Sequence, residues 1–169
     1  MRCKCKTGEL ITICAAQPSN YAVAKSLMQQ LHTLHVDMCP DIYTPLSPAL
    51  SWEEYARYLS ADMAVVAKCG NDAVVGLLLL QERVLSARGQ TERRELLVQA
   101  LVTDTPWRRR GIGKMLLLYA QQKAVQQGYD TLWLQVRAAN EQARAMYRAC
   151  GFAEASINLE KKLPHGRMK

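Results

Sequence analysis

The sequence predicts an α+β fold in three layers, in which a mostly antiparallel, twisted sheet of six to seven strands is flanked by about four helices. Three observations support this fold class. Residues 63–103 are rich in strand-like segments, the second half of the chain alternates between helix and strand patterns, and glycines stand where the later helices should end.

The N-terminal elements begin with Glu9–Ala16, whose weak alternation of apolar and polar residues predicts a strand. A helix should open at Pro18, because apolar side chains then recur at helical spacing. The stretch Asp37–Leu50 contains three prolines and should be irregular. The capping-box signature Ser51-x-x-Glu54 predicts a short helix over Trp52–Leu59.

The central block should be a set of consecutive strands. Met63–Lys68 and Ala73–Val84 read as strands joined by a turn at Cys69–Asp72. A second turn, Ser86–Thr91, should lead into the strand Arg94–Thr103.

The C-terminal half should supply two helices with a strand between them. The helices are expected over Gly111–Gln127 and Asn140–Cys150, each followed by a glycine. Thr131–Val136 should be the strand between them, and Phe152–Lys162 should form the final strand or strands.

Length and composition favour a single soluble domain covering residues 1–169. The hydrophobic share of 49% and the charged share of 22% are those of a globular protein. The longest apolar run, Val74–Leu80, is too short to cross a bilayer, and no secretory signal follows the basic N-terminus. We therefore expect a cytoplasmic protein that does not contact a membrane.

The cysteines and the net charge narrow the possible ligands. The six cysteines form no C-x-x-C pair, and Cys3-x-Cys5 lacks a second cluster at ligand spacing, so we expect reduced thiols and no metal. The net charge of +7 indicates an anionic partner. That partner could be a nucleic acid, a phosphorylated cofactor or simply the ions of the bulk solvent.

The segment from Val102 to Lys114 is the most informative part of the chain. It runs from a buried strand through a short loop into a helix N-terminus, where unsatisfied N–H groups and the helix dipole favour an anion. Gly111 and Gly113 would let phosphate oxygens approach those amides without meeting a Cβ atom. The pattern is not a Walker A loop, and Leu116 stands where a dinucleotide fingerprint has its third glycine.

Two motifs in this order resemble those of the GNAT (GCN5-related N-acetyltransferase) superfamily. Arg108-x-x-Gly111-x-Gly113 is similar to the signature Q/R-x-x-G-x-G/A, and Asn140–Phe152 looks like the family's N…A…Y…GF segment. The resemblance is close over residues 96–152 and rests on element order before them. It implies a GNAT-like fold, direct transfer of an acetyl group from acetyl-CoA to a primary amine of a small molecule or protein, and a homodimer.

The resemblance also implies site residues. The backbone of Leu101, Val102 and Thr103 would pair with the pantetheine arm of acetyl-CoA, and Asn140 would contact the cofactor near that arm. Asn140 is also a favourable helix N-cap, a role compatible with that contact. Tyr147 would protonate the departing thiolate, although a core aromatic residue is the alternative for its position. The pyrophosphate should bind at the turn formed by Arg108, Arg109, Arg110, Gly111, Ile112, Gly113 and Lys114.

No residue is assigned as the general base. Many relatives carry an acidic residue on the strand before the turn, where this sequence has Gln99, which can orient a water molecule but cannot accept a proton at neutral pH. Glu95 and Asp104 are the nearest carboxylates, and a water relay is equally compatible with the sequence. Nothing in the sequence marks His32 or His35 as catalytic.

The acceptor amine is expected among the first helices and the irregular stretch after them. The residues expected to attract and enclose it are Asp37, Asp41, Glu53, Glu54, Tyr43 and Trp52. Two other functions remain open. A nucleic-acid-binding module using Arg108–Arg110 is disfavoured by an aromatic content of 7% and by the lack of an RNA-binding aromatic motif, and an acetyl-CoA-binding protein without catalysis would explain Gln99.

Overall fold

The computed structural model describes residues 1–70, 72–86, 88–89 and 91–161. Its strands are β1 (Arg2–Lys4), β2 (Leu10–Ala15), β3 (Ala64–Cys69), β4 (Ala73–Leu85), β5 (Arg93–Thr103) and β6 (Thr131–Leu134). Its α-helices are α1 (Tyr21–Met38), α2 (Trp52–Ser60), α3 (Ile112–Gln126) and α4 (Glu141–Arg148). One-turn 3-10 helices at Pro18–Asn20 and Thr105–Trp107 precede α1 and follow β5.

The strands form one sheet in chain order, with helices on both faces. Neighbouring strands are antiparallel except β5 and β6, which are parallel and connected through α3. On one face α1 and α2 bury Leu27 and Tyr55, and on the other α3 buries Ile112 and Leu116. These three layers, with six strands and four α-helices among the described residues, confirm the predicted α+β fold.

A local signal in the sequence explains where α2 begins. The Ser51 hydroxyl accepts a hydrogen bond from the Glu54 amide at 3.1 Å, and the Glu54 carboxylate accepts one from the Ser51 amide at 2.9 Å. This reciprocal pair satisfies two amide groups that the first turn would otherwise leave without a partner. The predicted capping box is therefore confirmed.

The elements differ from the sequence predictions at both ends of the chain. β1 was not predicted, because a strand of three residues offers too little periodicity to be recognised. β6 ends at Leu134 instead of Val136. The final strand predicted over Phe152–Lys162 is wrong for its described part, since residues 152–161 form no strand.

The C-terminal segment is instead held by charged side chains. The Glu154 carboxylate accepts hydrogen bonds from Arg144 at 3.1 Å and Arg148 at 3.0 Å, both on α4. Side chains beyond this point are exposed, so no apolar face is available to dock the segment on the sheet. Lys162 of that prediction lies outside the described residues, as do Asn71, Ala87 and Gln90 of the two predicted turns.

Candidate active site

The sheet opens between β5 and β6, and this opening creates the site. The two strands pair only from Glu95–Thr131 to Val98–Leu134, whereas β5 continues to Thr103. Beyond Val98, β5 therefore pairs with β4 alone, and the backbone groups along its other edge are left for a ligand.

A β-bulge marks the point where the two strands separate. Leu79 of β4 lies opposite Ala100, but its neighbour Leu80 lies opposite Val98, which leaves Gln99 without a partner residue. A bulge bends its strand and increases the local twist, so β5 turns away from β6 from this residue onward. The resulting cleft has a volume of about 1060 Å³ and includes Leu101, Val102 and Thr103 in its wall.

The turn after β5 presents a row of main-chain amides to this cleft. The amide of Met115 donates to the Gly111 carbonyl at 3.2 Å, so the earlier amides of Ile112, Gly113 and Lys114 precede the first helical hydrogen bond. Among the described residues, none accepts a hydrogen bond from these three amides. An anion at the N-terminus of α3 would satisfy them and would be favoured by the helix dipole.

The two glycines of the turn serve different physical purposes. Gly111 has φ +90°, in the left-handed region where a side chain is strained. A Cβ atom there would meet only Lys6 Cγ at 3.7 Å, an ordinary contact. A Cβ atom on Gly113 would lie 3.2 Å from Met146 Sδ, so this glycine allows α4 to approach α3 closely. Arg109 also has a positive φ, +67°, which is uncommon for a residue with a side chain.

The cations around the turn are not all directed at the cleft. Arg108, Arg109 and Lys114 line it, whereas Arg110 does not. The Arg110 guanidinium is paired with Glu9 at 2.8 Å and lies 4.6 Å from the centroid of the Trp107 ring. The fold therefore uses the Arg110 side chain for contacts within the protein, whereas Arg108 and Arg109 line the cleft.

A further cation comes from an unpredicted source, the turn between β1 and β2. Lys6 lines the cleft, and its amide donates to the Arg110 carbonyl at 3.0 Å. The Arg110–Glu9 ion pair joins the same two segments, so the N-terminal hairpin is attached to the turn that precedes α3. No sequence motif could have revealed Lys6, because its position depends on a contact between residues about a hundred positions apart.

Helix α4 and its N-cap residue supply the other wall, with Tyr147 and Asn140 respectively. The Asn140 side-chain oxygen accepts a hydrogen bond from the Ala143 amide at 3.0 Å, so Asn140 is the predicted helix cap and also lines the cleft. Tyr147 lines the cleft and packs edge-to-face against Phe152, with ring centroids 5.8 Å apart. Burial, and to a smaller extent Cys150, raise the pKa of the Tyr147 hydroxyl, which therefore stays protonated at neutral pH.

The carboxylates nearest to the motif do not reach the cleft. Glu95 is 2% exposed and forms ion pairs with Arg83 and Arg93, so its charge is already matched. Asp104 accepts a hydrogen bond from Gln30 at 2.8 Å and is not part of the cleft wall. Gln99 does line the cleft, at the bulge.

The far end of the cleft differs from the sequence prediction. Of the six described residues expected to enclose an amine, Tyr43 lines the cleft and the other five do not. Glu54 caps α2, and Trp52 packs against Tyr21 with ring centroids 5.3 Å apart. The wall is instead formed partly by His32 and His35 of α1, which lie one helical turn apart and face the same side.

The described residues contain neither a cluster of metal-ligating side chains nor a membrane-spanning helix. In the part of the chain that the structure describes, no group of three or more histidine, cysteine or acidic residues could hold a metal ion. No helix formed by the described residues is long and apolar enough to cross a membrane.

Comparisons with known proteins agree with this geometry. The Acetyltransferase (GNAT) family profile matches residues 28–152. The chain is 44% identical over 57 residues to the [Ribosomal protein bS18]-alanine N-acetyltransferase of Salmonella typhimurium, a match that covers 34% of this chain and only 38% of that relative.

Solved structures share the fold at low sequence identity. A mutant of the BH1408 protein from Bacillus halodurans has a TM-score of 0.82 at 20% identity, over 90% of this chain and 99% of its own. The aminoglycoside N-acetyltransferase AAC(6')-Iy, solved in complex with CoA, has a TM-score of 0.65 at 16% identity, over 93% and 97% of the two chains. The family profile spans well over half of the residues, and the chain therefore belongs to the Acetyltransferase (GNAT) family.

Proposed function

We propose that this protein transfers the acetyl group of acetyl-CoA directly to a primary amine. One observation carries the proposal: a single cleft joins the free edge of β5, the free amides at the start of α3 and the protonated hydroxyl of Tyr147. The edge suits an extended amide-containing chain, the amides suit a diphosphate, and a phenol can protonate a thiolate. Acetyl transfer from acetyl-CoA would use these three features together.

The cofactor would lie along β5 and end at the turn. Leu101, Val102 and Thr103 would pair with the pantetheine amides through their backbones. The pyrophosphate would take the amides of the turn, with Arg110 contributing only its main chain. The side chains near the phosphates are Arg108, Arg109, Lys114 and Lys6, and Asn140 would contact the cofactor from α4.

The reaction requires one bond to form and one to break. The amine nitrogen attacks the acetyl carbon, the tetrahedral intermediate collapses, and the C–S bond breaks to release the CoA thiolate. Tyr147 then gives its proton to the sulfur. Holding both reactants in one cleft contributes several kcal/mol through proximity, and a main-chain amide of β5 would stabilise the oxyanion.

The amine must lose a proton before or during attack. An amine of pKa about 10.4 is neutral only rarely at pH 7, a deficit of roughly 4.6 kcal/mol, so the cleft needs a proton acceptor. We assign this role to His35, directly or through a water molecule. Burial, then His32 and Arg137, lower the pKa of the His35 imidazole, which is therefore neutral and able to accept a proton at pH 7.

The biological setting remains a set of predictions. The Salmonella relative acts on an alanine of a ribosomal protein, but the match covers a minor part of both chains, so either a small-molecule or a protein amine fits. A homodimer, a cytoplasmic location and a single domain over residues 1–169 likewise stay predictions. Sedimentation of the purified chain at several concentrations would test the dimer.

Release of CoA thiol is the direct test of the reaction. The purified chain, incubated with acetyl-CoA and a panel of amines, should release free thiol only when an accepted amine is present. Saturable stabilisation by acetyl-CoA, without stabilisation by an oligonucleotide, excludes the nucleic-acid-binding alternative. Binding of acetyl-CoA with no thiol release for any amine would support the non-catalytic alternative and contradict the proposal.

A further inference from the structure

The end of the cleft facing α1 carries a guanidinium held against an aromatic ring. Arg137, in the loop after β6, has its guanidinium carbon 5.5 Å from the centroid of the Tyr43 ring. Its Nε donates a hydrogen bond to the Tyr43 hydroxyl at 3.3 Å. The two terminal guanidinium nitrogens make no hydrogen bond to any described residue, although Arg137 lines the cleft. They are therefore free to bind a ligand.

Tyr43, the residue that contacts this guanidinium, is itself packed against α1. The Tyr43 ring stacks on His35 with centroids 5.2 Å apart and an interplanar angle of 28°. In the same loop the Thr44 carbonyl lies 2.9 Å from His32 Nε2, within hydrogen-bond distance. Because the Tyr43 ring stacks on His35 and the next residue of its loop contacts His32, little conformational freedom is lost when a ligand binds to Arg137.

The charge of Arg137 is not matched within the cleft. Among the described residues that line it, the cations are Lys6, Arg108, Arg109, Lys114 and Arg137, and Glu141 is the one carboxylate. The phosphates of acetyl-CoA account for the first four. Glu160 exerts a weak attraction on Arg137 but forms no ion pair with it in the described structure. An anionic ligand in the cleft would supply the close counter-ion that Arg137 lacks.

We propose that the acceptor amine carries a carboxylate, which Arg137 binds through its two terminal nitrogens. This inference rests on the proposed acetyl transfer and specifies its substrate class as small amino acids. The planar guanidinium matches a carboxylate in bidentate geometry, which gives both affinity and orientation. The same charge repels a polycationic acceptor, such as an aminoglycoside, since the cleft offers it no row of carboxylates.

The test compares amino acids with their carboxamides. Each acid is assayed beside its matching amide, and the acids are glycine, L-alanine, β-alanine, γ-aminobutyrate and 6-aminohexanoate. The readout is thiol release from acetyl-CoA. The pH is varied to correct for the different ionisation of the amines. At least one acid should exceed its amide in kcat/KM by about 10- to 100-fold, as expected for a charge-assisted pair. Arg137→Gln should remove this preference by raising KM for the acid, and Arg137→Lys should restore part of it.

The controls separate this inference from the proposed function. Arg57→Gln makes the same change of charge on the exposed side of α2 and should leave the preference intact. Acetyl-CoA affinity and melting temperature, measured for each variant, identify loss of folding. If amides are acetylated as well as acids, or if Arg137→Gln slows both equally, the carboxylate assignment is refuted while acetyl transfer stands. If no acid or amide of this set releases thiol while another amine does, the carboxylate assignment is refuted and acetyl transfer stands. If no amine of any class releases thiol, both proposals fail.

Discussion

Substitution of Gly111 tests the phosphate turn most directly. The Gly111→Ala variant places a side chain at φ +90°, where an L-residue is disfavoured by about 1–2 kcal/mol. The new Cβ has no close neighbour, with Lys6 Cγ at 3.7 Å, so the penalty is one of backbone conformation and not of packing. For a chain of this size, that penalty corresponds to a fall in melting temperature of roughly 2–8 °C.

The effect on binding should exceed the effect on stability. If the backbone relaxes to a negative φ, the amides after Gly111 rotate away from the diphosphate, and one lost charge-assisted hydrogen bond weakens binding by about 10- to 100-fold. The measurements are the acetyl-CoA dissociation constant by calorimetry and the melting temperature of the free protein.

A matched control is available at the other end of the same helix. Gly128 follows α3 and has φ +69°, and a Cβ atom added to it would have no neighbouring atom within 4 Å. Gly128→Ala should therefore lower the melting temperature comparably while leaving the dissociation constant unchanged. An acetyl-CoA affinity for Gly111→Ala equal to that of the wild type would refute the cradle of main-chain amides.

The remaining predictions concern the Tyr147 hydroxyl as proton donor, the Lys6 ammonium group and the His35 imidazole. Tyr147→Phe should lower kcat by about 100-fold with little change in acetyl-CoA affinity, because only proton donation is lost. Lys6→Gln should weaken acetyl-CoA binding several-fold at low salt, since it removes one cation from the phosphate end, whereas Lys4→Gln on β1 should not. The pKa of His35 is lowered in the folded state, so the folded protein binds a proton at this site less readily than the unfolded chain does. The free energy of unfolding of the wild type should therefore fall as the pH drops below the usual pKa of histidine. The stability gap between wild type and His35→Asn should accordingly be larger at pH 7.5 than at pH 5, as measured by melting temperature.

Each of these has a result that would contradict it. Full kcat in Tyr147→Phe would remove the tyrosine from the proton transfer. Equal salt-dependent losses for the Lys6 and Lys4 variants would indicate a general field effect instead of a local contact. A stability gap for His35→Asn that stays constant or widens at pH 5 would show that the imidazole is not buried in its neutral form.

The local motifs could be predicted because their physics is contained in a few neighbouring residues. The capping box at Ser51 depends on two side chains and two amides within one turn of helix. The phosphate turn depends on a strand, a bend with Gly111 at positive φ and the helix that follows. Such segments impose the same geometry wherever they occur, so the sequence indicated the turn, the cap at Asn140 and the order of the later elements.

The end of the cleft facing α1 could not be predicted because it is formed by contacts between distant segments. His35, Tyr43 and Arg137 come together only when the loop after α1 crosses to the end of β6. The carboxylates that the sequence suggested are either engaged elsewhere, as Glu54 is in its cap, or lie outside the cleft. Charge and proximity in the sequence did not indicate which side chains would face the ligand.

Patterns spanning a few consecutive elements were sufficient to indicate the family, the fold class and the glycine-containing turn before α3. Only the folded chain shows that Arg110 binds Glu9 while Lys6 lines the cleft, and that Arg137 lines the end of the cleft facing α1. The physical reason is that side-chain direction depends on packing: a guanidinium turns toward whichever carboxylate or ring the fold brings within reach, and no local pattern encodes that distance.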